Sequence, residues 1–538
     1  MKIMLTIEIV LTIYTAFYVM RYNLHMFQLN GYKNPEHVSW MKKNMRKQGL
    51  LFAGFLAGLL AGAFPNPVTA VFLFLCTLLT LWYYSLLKRN NTKKKLVYTN
   101  RVKRLIITDT VLSLAVTFLL YLAGSLKGLW FSCGLVLFSQ QFLLLPANTL
   151  NSPIEKGVNN HYINDAKRRL QENSHLTVIG ITGSYGKTSV KYFLNTLLQT
   201  QFNVLMTPAS YNTPMGVVKT IRGSLKPTHE IFICEMGARH VGDIKEICDI
   251  VHPDHGIITS IGPQHLETFF NMDNIKSTKF ELADALQKDG MLFLNGDNSY
   301  INDHIKEKGG QYSNKIFYGA DYGTDSNTDN DFRSGESAQG YQASDIRLSR
   351  LGTEFKVTAP DGETEQFQMR LIGGHNVANV VGSIAVAHKL GIALKDLKVP
   401  VRRIQSVEHR MQILDKGPVT IIDDAFNSNP AGSKAAVETL AMFEGVRILI
   451  TPGMVELGAE EGRYNYEFGT YAAACCDYIA LVGKKHTEPI WKGIQDSGFS
   501  MERCQVVEKL EEALSWAYGI KEQGHKYILL ENDLPDNY

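Results

Sequence analysis

The chain has 538 residues and a formal net charge of +3, which is enough sequence for roughly two to four domains. Residues 1–150 carry 16 basic and three acidic side chains, so the basic charge is a membrane-topology signal and we expect no nucleic-acid partner. The seven cysteines contain no Cys-x-x-Cys pair, which argues against a zinc ribbon or a disulfide framework and suits a reducing compartment.

Residues 1–150 are predicted to form a membrane region with about five transmembrane helices. The apolar spans are residues 4–20, 50–64, 68–87, 106–126 and 129–146. The first span lacks a small-residue cleavage site and is interpreted as an anchor rather than a signal peptide. The second span is short and contains Gly54, Gly58 and Gly62 at four-residue spacing. This spacing is typical either of close helix packing or simply of a glycine-tolerant span.

Loop charge predicts the orientation of these helices. Basic side chains concentrate in residues 21–48 and 88–105, whereas the turns at 65–67 and 125–128 are nearly uncharged. By the positive-inside rule, both basic loops face the cytoplasm, where they can contact anionic membrane lipid. Five spans then place the N-terminus outside the cell and everything after Pro146 in the cytoplasm.

A glycine-rich turn follows a polar linker. Residues 176–179 are apolar and β-branched, which is typical of a buried parallel strand, and the turn GITGSYGKTS leads from there into a helical pattern. The backbone amides of such a turn surround phosphate oxygens, Lys187 supplies positive charge, and the Thr188 hydroxyl can reach Mg²⁺. Ile181 occupies the first glycine position of the strict pattern, so Gly183 takes that role. The predicted nucleotide-binding residues of the turn are Gly183, Ser184, Tyr185, Gly186, Lys187, Thr188 and Ser189.

Alternating strand and helix signals predict two α/β domains after the membrane region. The central domain, residues 151–400, has a parallel sheet and a polar insertion at 319–344, and the C-terminal domain covers residues 401–538. The strands expected in the C-terminal domain are residues 419–422, 447–451, 478–482 and 527–530. The predicted fold class is an α-helical membrane region followed by a P-loop parallel-sheet ATPase domain and a Rossmann-like α/β domain.

Polar side chains follow two further strand signals, at the sheet edge where α/β proteins bind ligands. Glu235 ends the apolar run 231–234 and is suited to hold Mg²⁺, with a surface glutamate as the alternative. His265 follows the run 257–261 and is a candidate ligand for a second metal, although an isolated histidine is usually structural.

Other polar residues are weaker candidates for the nucleotide site. Amides suit an adenine edge, a carboxylate suits ribose hydroxyls, and arginine suits a phosphate. These candidates are Asn295, Asn376, Asn379, Arg410 and Asp424. Spacing alone is weak support, because Asn-Pro runs also form ordinary turns. Lys276 and Lys279 would, by themselves, be interpreted as a solvated helix face.

Taken together, these stretches resemble the Mur ligase family, which joins amino acids or peptides to cell-wall precursors with hydrolysis of ATP. The similar stretches, in family order over residues 175–460, are GITGSYGKTS, EMGARHVGDI, ITSIGPQHLETF, NIKSTKFEL, LNGDN, GGHNVANV, HRMQ, IIDDAFNSNP and GMVELG. The resemblance implies ATP and Mg²⁺ as cofactors. It also implies that Lys279 takes the position of a lysine whose carbamate helps to hold a second Mg²⁺, with Lys276 as the less favoured register.

The resemblance assigns the remaining roles residue by residue. Asn295, Asn376 and Asn379 would lie near adenine, Arg410 near the phosphates and Asp424 near the ribose. The implied metal ligands are Thr188, Glu235, His265 and Lys279. The implied catalytic residues are Lys187, His265, Lys279 and Arg410.

The implied reaction activates a carboxylate with ATP to an acyl phosphate, which an incoming amine converts to an amide. The expected partners are a UDP-linked or lipid-linked muramyl peptide and an amino acid or a dipeptide such as D-alanyl-D-alanine. Two departures leave the acceptor open: membrane spans replace the family's UDP-binding domain, and residues 529–538 replace a Lys-Gly-Ser stretch. The alternatives are a membrane-attached ligase of poly-γ-glutamate or folylpolyglutamate type, and a scaffold with a degenerate nucleotide-binding module.

Overall fold

The computed structural model of the chain describes residues 1–45, 49–87, 95–320, 340–349, 352–426 and 428–533. The chain divides into two units, one from Met1 to His161 and one that begins at Tyr162. Several predictions fall outside the described residues. These are part of both basic loops, most of the polar insertion, Asn427 of the IIDDAFNSNP stretch and the last residues of the chain.

The first unit is helical. The helices that begin in it are α1 (Lys2–Leu29), α2 (Asn34–Lys43), α3 (Gly49–Ala63), α4 (Pro67–Leu87) and α5 (Asn100–Gln171). Within the described residues, α1, α4 and α5 are long and apolar enough to cross a membrane, whereas α3 has 15 residues. Helix α5 is kinked at Ser125, whose φ of 50° and ψ of −127° are not helical, so two of the predicted spans lie on either side of this kink.

Helices α3 and α5 approach each other closely through glycines. A Cβ added at Gly58 would lie 2.7 Å from the Cα of Gly134, and one added at Gly62 would lie 2.9 Å from the Cβ of Phe131. Larger side chains at these positions would push the helices apart. The structure therefore favours close packing as the reason for Gly58 and Gly62, whereas a Cβ added at Gly54 would have no atom within 4 Å.

The second unit begins with a mixed sheet. Its strands are β1 (Thr177–Thr182), β2 (Val204–Met206), β3 (Ile231–Glu235), β4 (His255–Ile258), β5 (Leu292–Asn295), β6 (Lys315–Ala320), β7 (Tyr341–Ser349), β8 (Gly352–Thr358) and β9 (Thr364–Met369). The order of the described strands is β2-β3-β1-β4-β5-β6-β7-β8-β9. Neighbours from β2 to β7 are parallel, as predicted, and β7, β8 and β9 are antiparallel.

Helices cover this sheet and connect its parallel strands. They are α6 (Lys187–Leu198), α7 (Pro214–Ser224), α8 (Asp243–Val251), α9 (Leu266–Phe269), α10 (Met272–Asp284), α11 (Ser299–Lys308), α12 (Gly374–Lys389) and α13 (Lys398–Arg403). Strands β1 and β3 are apolar runs buried on both faces, as parallel strands between helices are. Ile181 pairs with Glu235 and Thr182 with Ile258, so the loops after β1, β3 and β4 meet at one edge.

A second sheet follows in the same unit. Its strands are β10 (Gln412–Asp415), β11 (Val419–Asp424), β12 (Val446–Thr451), β13 (Tyr478–Val482), β14 (Cys504–Val507) and β15 (Lys526–Glu531). Its helices are α14 (Pro430–Leu440), α15 (Glu461–Cys475), α16 (Lys484–Asp496) and α17 (Leu510–Gly519). The order of the described strands is β10-β11-β15-β12-β13-β14, and β10 is antiparallel to β11. The four expected strands coincide with β11, β12, β13 and β15.

Candidate active site

The glycine-rich turn connects β1 to α6, and its backbone requires glycine at two positions. Gly183 has a φ of 152° and Gly186 a φ of 79°, both in the region that favours glycine. A Cβ added at Gly186 would lie 2.7 Å from the Oδ1 of Asn379, in α12. The turn is therefore held close to α12, and the structure brings the predicted Asn379 directly against the predicted phosphate loop.

Ser184 and Tyr185 attach this turn to the loop after β4. The backbone amide of Ser184 donates to the Ser260 carbonyl over 2.6 Å, and its hydroxyl donates to the Gly262 carbonyl over 3.0 Å. The Tyr185 hydroxyl donates to the Pro263 carbonyl over 2.9 Å, and burial raises the pKa of this phenol well above its usual value. Both side chains thus hold the turn in place instead of extending from it.

Lys187, the first residue of α6, folds its side chain back over the turn. Its Nζ donates to the carbonyls of Gly183 and Ser184 over 2.7 and 3.0 Å. Burial lowers the pKa of Lys187 to about 8, with attraction from Glu235 and repulsion from Arg410 as smaller influences. An ammonium in this position lies where phosphate oxygens bind in loops of this type.

Glu235, at the end of β3, is the centre of a buried polar cluster. Its side chain is 1% exposed, so the surface interpretation is wrong. Its Oε1 accepts hydrogen bonds from the Thr188 hydroxyl at 3.1 Å and the Asn212 amide at 3.0 Å. Its Oε2 lies 2.9 Å from the Nζ of Lys191, whose side chain is fully buried. The cluster joins the strand tip to the first turns of α6.

Two members of this cluster were not predicted from the sequence. Lys191 lies four residues after Lys187 and therefore on the same face of α6, where a lysine within an otherwise buried face is a usable signal. Asn212 lies in the loop between β2 and α7 and carries no comparable signal, because many loop asparagines only stabilise turns.

The donors around Glu235 fit Mg²⁺. Thr188 and Glu235 provide hard oxygen atoms next to a phosphate loop, and half-buried Ser189 follows Thr188 in α6. The described part of the chain contains no group of three or more His, Cys, Asp and Glu side chains that could hold a metal. A cation here would therefore complete its coordination with phosphate oxygens and water, as Mg²⁺ commonly does in nucleotide sites.

Lys279 and Lys276 occupy different environments on α10. Lys279 is 2% exposed, and burial, with repulsion from Lys187, lowers its pKa well below the usual value. Lys276 instead makes an ion pair of 2.9 Å with Asp273. Burial thus distinguishes the two lysines, and the carbamate on Lys279 stays a prediction. Its role as a metal ligand stays a prediction.

His265 contacts Glu456, which follows β12 of the second sheet. Its Nδ1 is hydrogen-bonded to the Oε2 of Glu456, and the Oε1 of Glu456 lies 3.3 Å from Arg239. Burial lowers the pKa of His265. Glu456 belongs to the GMVELG stretch and was not predicted as a site residue, because nothing local marks a partner 191 residues away. The metal role of His265 stays a prediction.

The other predicted asparagines bind backbone groups. The Asn295 amide donates to the Thr259 carbonyl over 2.9 Å, and the buried Asn376 amide donates to the Ile372 carbonyl over 2.8 Å. These bonds fix loops at the same edge as the phosphate loop, and the assignment of both residues to adenine stays a prediction.

Arg410 and Asp424 lie together next to the start of the second sheet. The Arg410 guanidinium stacks over Phe426, 4.6 Å from the ring centre, and Asp424 accepts a bond of 3.1 Å from the Met411 amide. Burial raises the pKa of Asp424 to about 6, and Arg410 opposes this effect. Burial likewise lowers the pKa of Arg410, against attraction from Asp424 and Glu235. Arg410, the predicted phosphate residue, thus interacts electrostatically with both Asp424 and Glu235.

Both sheets lie largely within regions that match domains of one known protein family. The Mur ligase middle domain matches residues 181–387, and the domain described as "Mur ligase, glutamate ligase domain" matches residues 409–530. The chain belongs to the Mur ligase family. The first match includes the phosphate loop, Glu235 and Lys279, and the second includes Arg410. The two matches confirm the family inferred from the motifs.

Curated relatives carry one shared name. The UDP-N-acetylmuramoyl-tripeptide–D-alanyl-D-alanine ligase of Bacillus subtilis (strain 168) is 31% identical over 308 residues, which are 56% of this chain and 62% of the relative. That of Escherichia coli (strain K12) is 29% identical over 312 residues, or 57% of this chain and 65% of the relative. This Mur ligase thus spans less than two thirds of the length of these relatives.

Solved structures confirm the fold class. MurF from Acinetobacter baumannii gives a TM-score of 0.61 at 23% identity and covers 71% of this chain and 78% of its own. MurF ligase from Thermotoga maritima in complex with ADP gives 0.59 at 22% identity, with 70% and 80% covered. Central and C-terminal α/β domains with the Mur ligase fold are therefore present in this chain.

Proposed function

We propose that this Mur ligase uses ATP to form an amide bond on a peptidoglycan precursor. The observation that carries the proposal is the arrangement around Glu235. The glycine-rich turn, the oxygen donors Thr188 and Glu235, and the buried Lys279 belong to elements around the first sheet. Arg410 and Glu456, from residues next to the second sheet, reach the same region.

The proposed reaction begins with the precursor's carboxylate attacking the γ-phosphorus of ATP, which gives an acyl phosphate and ADP. The amine of the second substrate then attacks the acyl carbon and releases phosphate and a proton. Lys187 and Arg410 place two positive charges near the transferring phosphoryl group, where negative charge must be stabilised. Thr188 and Glu235 would hold Mg²⁺, which when bound supplies further charge neutralisation at the phosphate oxygens.

The substrates are proposed from the curated relatives' names. A UDP-linked muramyl tripeptide is the proposed carboxyl substrate, and D-alanyl-D-alanine is the proposed amine. A lipid-linked muramyl peptide is the alternative carboxyl substrate, because α1, α4 and α5 have the length and apolar character of membrane-spanning helices. We further propose that the protein is attached to the bacterial cytoplasmic membrane through residues 1–150, contacts membrane lipid there and acts on the cytoplasmic side.

The test is phosphate release by the purified full chain in detergent. UDP-linked muramyl tripeptide, its lipid-linked form, and polyglutamate and folate acceptors are each combined with ATP and a panel of amines. The proposal expects release that depends on both a muramyl acceptor and an amine, and that is lost in Lys187→Ala. Release only with glutamate-type acceptors would contradict it in favour of a polymer ligase. A wild-type protein that turns over no acceptor, with cell function intact in Lys187→Ala, would favour a scaffold.

A further inference from the structure

We propose that Lys191 is a positioning residue for the cation site: its buried ammonium holds the Glu235 carboxylate in the orientation that receives Mg²⁺. The inference rests on the proposed function only where that function assigns Glu235 to the cation. Lys191 is not part of the glycine-rich turn itself, and Lys187, one helical turn earlier, has different partners.

The two oxygens of Glu235 have separate partners. Oε2 forms an ion pair with the Nζ of Lys191 at 2.9 Å. Oε1 accepts hydrogen bonds from the Thr188 hydroxyl and the Asn212 amide. Since the two oxygens contact different residues, the carboxylate cannot rotate without breaking one of these contacts. Oε1 is the oxygen that contacts Thr188, the other proposed cation ligand, and Lys191 does not contact it.

Lys191 is itself fixed. Besides this ion pair, its Nζ donates a hydrogen bond to the backbone carbonyl of Ala209, in the loop that carries Asn212, and its side chain is completely buried. A lysine tied to a backbone carbonyl and a carboxylate has little freedom, and such outer-shell partners orient metal-binding groups. The β2–α7 loop, α6 and the tip of β3 are thereby joined around one carboxylate.

Removing the ammonium would leave Oε2 of the buried Glu235 without its ion-pair partner. The carboxylate could then turn toward another donor, because the Lys191 contact no longer fixes that oxygen. Such a rotation weakens a cation site that depends on a correctly oriented carboxylate. A lysine that only fills space would not produce this effect, since a side chain of similar length could replace it.

The experiment measures cation binding directly, without any acceptor. Full-length Lys191→Met is titrated with Mn²⁺ in the presence of β,γ-methylene-ATP, and free Mn²⁺ is followed by electron paramagnetic resonance. We expect a dissociation constant for Mn²⁺ raised by about tenfold or more, the usual effect of losing an outer-shell partner. The matched control is Lys219→Met, because Lys219 is an exposed lysine that contacts Tyr211 of the same loop and not Glu235. An unchanged or lower dissociation constant in Lys191→Met would overturn the proposal.

A second background separates positioning from packing. In Glu235→Gln the group to be oriented is already neutral, so adding Lys191→Met should weaken Mn²⁺ binding no further. An equal further loss in that background would overturn the proposal. If Lys191→Met fails to fold, Lys191→Gln takes its place, with the same two expectations and the same contradictory results. A wild-type chain that binds no Mn²⁺ with nucleotide would instead overturn the assignment of Glu235 to the cation, which is part of the proposed function.

Discussion

His265 and Glu456 are hydrogen-bonded to each other although 191 residues separate them in sequence. His265 follows β4 of the first sheet, and Glu456 follows β12 of the second. Arg239 supports the contact from the first sheet, 3.3 Å from the other oxygen of Glu456. Closure of two α/β domains excludes water from a reactive intermediate, and this contact is one that such closure would use.

Removing the Glu456 carboxylate should therefore impair turnover more than nucleotide binding. In Glu456→Ala we expect phosphate release to fall about tenfold, equivalent to ~1.4 kcal/mol, with ATP affinity changed less than threefold. Steady-state kinetics and nucleotide titration measure the two quantities. Equal losses in both, or no loss in turnover, would show that the contact does not support closure.

A side chain at Gly186 should disrupt the phosphate loop. Gly186→Ala forces a Cβ into a left-handed conformation and to within 2.7 Å of Asn379, at a cost of roughly 1–2 kcal/mol from the backbone alone. We expect weaker ATP binding and a lower melting temperature. Gly223→Ala is the matched control, because Gly223 lies in α7 with no atom within 4 Å of an added Cβ. Similar ATP affinities in the two variants would contradict the requirement for glycine at position 186.

The two lysines of α10 should differ strongly. Lys279→Met is expected to lower phosphate release by about a hundredfold or more, the scale of losing one group that stabilises transferring charge. Lys276→Met removes an ion pair with the exposed Asp273 and should stay within about twofold of wild type. The reverse ranking would move the functional register from Lys279 to Lys276.

Glu531 should make stability depend on pH. This carboxyl is 1% exposed at the end of β15, bonded to Ser428 and Thr451, and burial raises its pKa from 4.5 to about 7. Between these pH values the folded protein binds the proton more tightly than the unfolded chain does. The contribution of this carboxyl to the free energy of unfolding is therefore fully present below about pH 4.5 and decreases as the pH rises toward 7.

The Glu531→Gln variant keeps the shape and cannot ionise. Relative to this variant, wild type should lose stability between pH 4.5 and 7, by at most about 3 kcal/mol. Thermal unfolding of both proteins at pH 5 and 7.5 measures the difference. A difference in melting temperature that is constant with pH would show that Glu531 does not titrate in this range.

Local patterns were sufficient for part of the site. The β1–turn–α6 segment could be predicted because a β-branched run, glycines and a Gly-Lys-Thr sequence are adjacent in the chain. Glu235 could be predicted because it directly ends an apolar strand. In both cases the residues that determine the structure are sequence neighbours.

Contacts between distant segments could not be predicted in this way. The partners of Lys191 come from β3 and from the β2–α7 loop, and the partner of His265 comes from the second sheet. The short edge strands β10 and β14 were also missed, because four residues carry too little periodicity. The antiparallel direction of β7–β9 was not predicted either. These strands follow an insertion, and β7 alternates buried and exposed residues, unlike the buried parallel strands before it.

The most direct test of the proposed ligase chemistry follows oxygen from the acceptor. Muramyl tripeptide labelled with ¹⁸O in its terminal carboxylate is incubated with the full chain, ATP and D-alanyl-D-alanine, and the released phosphate is analysed by mass spectrometry. An acyl-phosphate route predicts one ¹⁸O atom in each phosphate released with amide formation. Phosphate without ¹⁸O, or release that needs no acceptor, would contradict it.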